Sequence, residues 1–124
     1  MSEGAHFIQG CTMAKVKEIL LLDCRKEENL EELKEMLQKL PFLAGKSPTT
    51  DMLESIMHKY DAKYGISCDM ILRLGSGAGG KKYYSFHIKK GEHHLRMVYG
   101  LTLFECLAKS VIYSYFMTKG KQDG

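Results

Sequence analysis

From Asp69 to Tyr99 the hydrophobic pattern has a period of two, and no other feature of the chain restricts its fold as much. Met70, Leu72 and Leu74 alternate with Asp69, Ile71 and Arg73; Tyr84, Phe86 and Ile88 alternate with Tyr83, Ser85, His87 and Lys89; Leu95, Met97 and Tyr99 alternate with His94, Arg96 and Val98. Successive side chains of a strand point to opposite faces, so this is the pattern of three strands that each bury one side. Lys90-Gly91 lies between the second and third strands, and glycine supplies the positive φ that a two-residue hairpin turn needs. A turn there pairs Lys89 with Glu92, Ile88 with His93, His87 with His94, Phe86 with Leu95 and Tyr84 with Met97, which sends every apolar position to one face. With Leu72 held opposite Tyr84, Asp69 falls opposite His87.

A helix follows the meander. Thr102 and Glu105 have the spacing of a capping box, and Leu103, Phe104, Leu107, Ala108, Val111, Ile112, Tyr115 and Phe116 leave the helix little polar surface. A helix with so little polar surface belongs at the centre, packed on the sheet. Two more helices precede the strands. The first starts at Asn29 with Glu32 three residues on, carries Leu30, Leu33, Met36, Leu37 and Leu40 at helical spacing, and stops at Pro41. The second starts at Ser47-Pro48, carries Met52, Leu53, Ile56, Met57 and Tyr60, and ends near Lys63 before Gly65. Between Lys15 and Cys24 an unbroken apolar centre fits a buried strand or a helix. The break at Arg25-Lys26-Glu27-Glu28 favours a strand at Ile19 to Cys24. The expected fold is one α+β domain over residues 14–124, preceded by a flexible arm over residues 1–13. Its antiparallel meander has three to four strands, with two to three helices on one face and the C-terminal helix central.

Composition narrows the function classes. A chain of 124 residues is the size of one ordinary domain. Its longest apolar runs are far shorter than a bilayer span, so no membrane partner is expected. The start Met-Ser-Glu-Gly-Ala-His lacks a basic region followed by an apolar stretch, so the expected location is the cytoplasm. A net charge of +3 names no partner. Cys11, Cys24, Cys68 and Cys106 include no Cys-x-x-Cys pair, which argues against zinc ribbons and thioredoxin-like redox sites and for free thiols.

Three groups of residues could carry chemistry. Gly75 to Lys81 has the G-x-x-x-x-G-K spacing of a phosphate loop, but Lys82 stands where Ser or Thr would hold Mg²⁺, and a strand follows instead of a helix. Gly75-x-Gly77-x-x-Gly80 also matches the glycine loop of protein kinases, whose other parts are missing. The stretch is a hairpin connection, and no cofactor is expected. The second group is the cross-strand row Asp69, His87 and His94, two imidazoles with an orienting carboxylate, as in metal binding or acid–base chemistry. The neighbouring row of Ile71, Ser85 and Arg96 supplies no further ligand. The third is a basic surface, Arg73, Lys81, Lys82, Lys89 and Arg96 with Tyr83 among them, a combination that can track a phosphate backbone and stack bases.

The order helix, three-strand meander, helix from Pro48 to Lys119 resembles the double-stranded-RNA-binding domain in topology. That family's RNA contact needs a Lys-Lys-x-Ala-Lys run opening the last helix. Here Leu103-Phe104-Glu105-Cys106-Leu107-Ala108-Lys109 stands there, so the resemblance implies the fold and not RNA binding. The join Gly100-Leu101-Thr102-Leu103-Phe104-Glu105-Cys106-Leu107 is similar to the corresponding join in HicB-type antitoxins and again implies a fold. The expected function is a small non-enzymatic interaction module. It would bind a protein partner, including a second copy of itself, through an exposed sheet face or edge strand. Nucleic-acid binding on the Lys/Arg/Tyr surface is the alternative, and a metal or acid–base site at His87 and His94 the third reading.

Overall fold

The computed structural model describes residues 13–74 and 82–122. The fold is α+β: α1 (Met13–Leu20), α2 (Glu27–Gln38), a 3₁₀ turn (Pro41–Leu43), α3 (Thr50–Tyr64), then β1 (Ile66–Leu74), β2 (Lys82–Lys90), β3 (His93–Gly100) and α4 (Leu103–Gln122). The strands form one antiparallel sheet in the order β1-β2-β3. Among the described residues the α-helix count is therefore four, not two to three. The expected arm and the glycine-rich connection lie outside the described residues, except Met13, which opens α1, and Lys82, which opens β2.

The expected strand at Ile19 to Cys24 is not a strand. Val16, Ile19 and Leu20 fall at helical spacing and are buried in α1, which ends there; Leu21 is exposed and Leu22 to Lys26 form an irregular turn. The run of four apolar residues hid that spacing, since a continuous run fits either period. The start of α2 also differs from the cap read at Asn29. The cap is Lys26 and the helix begins three residues earlier, with Glu27 and Glu28 in its first turn, where carboxylates meet the positive end of the helix dipole. Asn29 instead turns its side chain back, Nδ2 donating to the Asp23 carbonyl at 2.9 Å. In α3 the cap is Thr49 rather than Ser47: its Oγ1 accepts from the Met52 N–H at 3.2 Å. The helix ends at Gly65, which has φ 72° and donates to the Asp61 carbonyl.

The central helix stands where its composition placed it. α4 touches α1, α2, α3, β2 and β3, and Cys106, Ala108, Val111 and Ile112 are fully buried. Glu105, Lys109, Ser110, Ser114 and Thr118 are buried too, and each has a partner. Ser110 Oγ donates to the Cys106 carbonyl and Thr118 Oγ1 to the Ser114 carbonyl, each at 2.8 Å. The capping box forms, with Thr102 Oγ1 accepting from the Glu105 N–H and Glu105 Oε1 accepting from the Leu101 N–H, both at 3.1 Å. The other carboxylate oxygen of Glu105 meets Lys109 Nζ at 2.7 Å, and that ammonium also donates to the carbonyls of Leu22 and Tyr99, each at 2.9 Å. A buried lysine needs three acceptors, and these are its three. Gly100 makes room for the arrangement, because a Cβ there would lie 2.9 Å from the Glu105 side chain.

The register of β1 on β2 is the expected one, with Asp69 opposite His87 and Leu72 opposite Tyr84. The register of β2 on β3 is not. The turn falls one residue later, at Gly91-Glu92, with Lys90 opposite His93 and Lys89 opposite His94. Only the first turn residue has positive φ (Gly91, 61°), the type II′ pattern. A bulge then inserts Leu95 before Arg96, which lies opposite Ile88, so that His87 faces Met97 and Phe86 faces Val98. The bulge reverses the facing of the rest of β3. Val98 joins the core at 1% exposure, while Tyr99, expected inside, is half exposed. Leu95 still packs against the core.

Candidate functional site: the helix-free sheet face

The sheet register sorts every candidate residue by face. Ile66, Phe86, Ile88 and Val98 share the face that packs on the helices and are buried. The opposite face carries Asp69, Ile71 and Arg73 from β1, Tyr83, Ser85, His87 and Lys89 from β2, and His94, Met97 and Tyr99 from β3. Its large apolar members stay in water: Ile71 is 41% exposed and Tyr99 50%. A sheet with one wet face is ordinary in antiparallel proteins, but that face is normally polar. This one has an aromatic and aliphatic strip. The Tyr83 and Tyr99 rings pack at 6.3 Å between centroids, with Ile71 and Arg73 beside them on β1. Arg73 Nε donates to Ser85 Oγ at 3.0 Å, and Ser85 is buried on this otherwise open face.

The histidine row is met in part. His87 and His94 are not directly opposite, yet their rings meet diagonally across the β2–β3 ladder, centroids 4.2 Å apart, with His94 Nδ1 and His87 Nε2 in hydrogen-bond contact. One nitrogen donates and the other accepts, in roles that the two ring tautomers set. Asp69 does not complete a triad. Its carboxylate turns to Lys89 Nζ at 2.6 Å, which holds its pKa below the usual carboxylate value and raises that of Lys89. Among the described residues no three His, Cys, Asp or Glu side chains gather as a metal site would require.

The basic candidates divide between the faces. Arg73 and Lys89 lie with Tyr83 on the open face, whereas Lys82 and Arg96 have the parity of the helix side. Arg96 is half-buried, and its Nε makes no hydrogen bond among the described residues. Lys81 lies outside the described residues. The open face includes Ile71, as the alternating pattern placed it, and also Met97 and Tyr99, which that pattern assigned to the buried face. No sequence signal marks a bulge at Leu95, so the facing of Met97 and Tyr99 was not legible.

A second concave feature lies on the helical side, a groove of about 640 Å³ between the 3₁₀ turn and α3. Phe42, Met52, Ile56 and Tyr64 line it, and Lys46, Lys59 and Lys63 stand around it. The three cysteines described are free, and burial pushes the Cys24 and Cys68 thiols up to about 11 and that of Cys106 up to about 12, which makes them poor nucleophiles. No helix is long and apolar enough to cross a membrane among the described residues. No protein-family model, curated protein or solved structure matches the chain.

Proposed function

We propose that the chain is a non-enzymatic interaction module that takes a protein partner on the helix-free face of its sheet. One observation carries the reading. A face free of helices presents Tyr99 and Ile71 to solvent, with the half-buried Tyr83 packed on Tyr99 and Arg73 alongside. Tyrosine, arginine and methionine are the residues enriched where proteins meet, because each brings contact area together with a polar or adaptable end.

The test compares affinity capture from the cell that makes the protein. The bait is wild type, the double variant Tyr83→Ser with Tyr99→Ser, or the control Glu35→Ser on the exposed side of α2. Two aromatic contacts of hot-spot quality are worth about 2 kcal/mol or more, so the tyrosine variant should bind a recovered partner about 30-fold more weakly or worse, with the control unchanged. Equal binding by all three baits removes the sheet face from the function.

Nucleic acid is the competing occupant of the same face, since Tyr83 and Tyr99 beside Arg73 can stack bases next to a phosphate. That reading predicts retention on heparin and an affinity that falls steeply with salt. Binding unchanged by Arg73→Glu with Lys89→Glu, the cations of that face, sinks it.

A further inference from the structure

β1 is an edge of the described sheet and the less protected of its two edges. β3, at the other edge, is interrupted by its bulge, a device that spoils further pairing. β1 runs nine residues, Ile66–Leu74, without proline and in unbroken register with β2. In its centre three successive apolar residues are exposed, Met70 at 53%, Ile71 at 41% and Leu72 at 51%. Met70 and Leu72 have the parity of the helix side, so among the described residues β1 is uncovered there on both faces. A long, regular, apolar edge is a template for another strand.

The charges select which strand. When two copies of β1 pair antiparallel in one continuous sheet, the two-fold axis stands perpendicular to the sheet and passes through a residue position, because every residue must meet one on its own face. An axis at Asp69 sets that carboxylate against its own copy. An axis at Met70 sets Asp69 against Ile71, and one at Leu72 sets Ile71 against Arg73. An axis at Ile71 sets Asp69 against Arg73 twice, Met70 against Leu72 twice and Ile71 against itself. In that register alone every exposed apolar residue meets an apolar one and every charge meets its opposite. The donors and acceptors are placed for it. Asp69 keeps more than half its side chain exposed while it holds Lys89, and Arg73 is anchored through Nε alone among the described bonds.

We infer that the protein forms a symmetric homodimer by antiparallel pairing of its β1 edges, with Ile71 on the two-fold axis and Asp69 of each copy paired to Arg73 of the other. The result is a six-stranded sheet whose helix-free face runs across both copies, so two interaction faces become one. The inference rests on the sheet being an interaction surface, as proposed above, but it uses the edge rather than the face.

Light scattering coupled to size exclusion, on the full chain, tests it. Wild type should have twice the 14.1 kDa chain mass. Asp69→Arg places arginine against arginine at both ends of the overlap, and Arg73→Asp places aspartate against aspartate; each should halve the mass while circular dichroism stays native. Mixed in equal amounts, the two variants complement each other at both ends and should regain the doubled mass, which misfolding of either variant could not produce. A wild type of single mass, single variants that remain dimeric, or a mixture that stays monomeric overturns the dimer. A monomeric wild type leaves the capture experiment with the tyrosine variant free to succeed. Failure of that capture in turn leaves the mass measurement unaffected, so the two readings fail separately.

Discussion

Lys109 is the residue on which the most separate parts of the fold depend. It is 2% exposed, and its ammonium donates to Glu105, to the turn after α1 and to the end of β3. A buried ion pair contributes little net energy when both partners are present, yet removing one leaves the other charged and without its counterion. Lys109→Met should therefore destabilise the protein by about 3–5 kcal/mol in a denaturant titration. The further change Glu105→Gln should recover part of that loss, because the charge left behind is gone; strictly additive effects would contradict the coupling. The signal for this pair was present in the sequence, a glutamate and a lysine four apart in an otherwise apolar helix, but the capping spacing accounted for Glu105 and drew attention away from Lys109. The thiols give a second expectation at this scale. Below pH 9 they are protonated in folded and unfolded chains alike. Between pH 9 and about 12 the unfolded chain ionises Cys24, Cys68 and Cys106 while the folded chain holds them protonated. The unfolded state then binds fewer protons, so stability should fall as pH rises through that window. Denaturant midpoints measured at pH 8 and at the top of the window check the sign. A serine variant of Cys106 that still folds should show a shallower fall.

Among the elements, β1, β2 and α4 were legible because the two strands alternate without interruption and the helix has a clear cap and little polar surface. The failures occur where a short local event overrides the period. α1 is a helix although its apolar run is continuous, since Val16, Ile19 and Leu20 find the core on one side and the chain turns at Leu21. β3 alternates as expected up to a single inserted residue, and after it every side chain points the other way. That insertion made Tyr99 part of the open face and sent Arg96 to the helix side. The turn leading into β3 depends on Gly91, whose φ of 61° costs an L-residue about 1 kcal/mol or somewhat more. Nothing lies within 4 Å of a Cβ there, so the cost is conformational and not steric. Gly91→Ala should lower stability by about that amount, and Gly91→D-Ala, made by chemical synthesis or ligation, should not. Equal losses from both would point to crowding instead.

For the whole molecule, helices on one side of the sheet leave the other side to face solvent, where Ile71 and Tyr99 lie exposed beside the His87–His94 pair. The layer arrangement followed from the hydrophobic periodicities, since amphipathic helices and strands of this length must share one core. The identity of the open face did not, because it depends on the β2–β3 bulge, and the row expected to hold Asp69, His87 and His94 together became a histidine pair and a separate Asp69–Lys89 ion pair. The edge and face proposals divide the functional surface in a way that two independent measurements, mass and capture, can read.

The bonds made by Lys109 also set an order of events during synthesis. Its partner carbonyl at Leu22 lies 87 residues earlier in the chain. α1 therefore leaves the ribosome long before the side chain that fastens its end exists, and its apolar stripe of Val16, Ile19 and Leu20 has no final seat until α4 is made. Long-range closures of this kind are slow, and they leave early segments exposed to aggregation or to chaperones in the interval. The first helix described is thus the last to be secured.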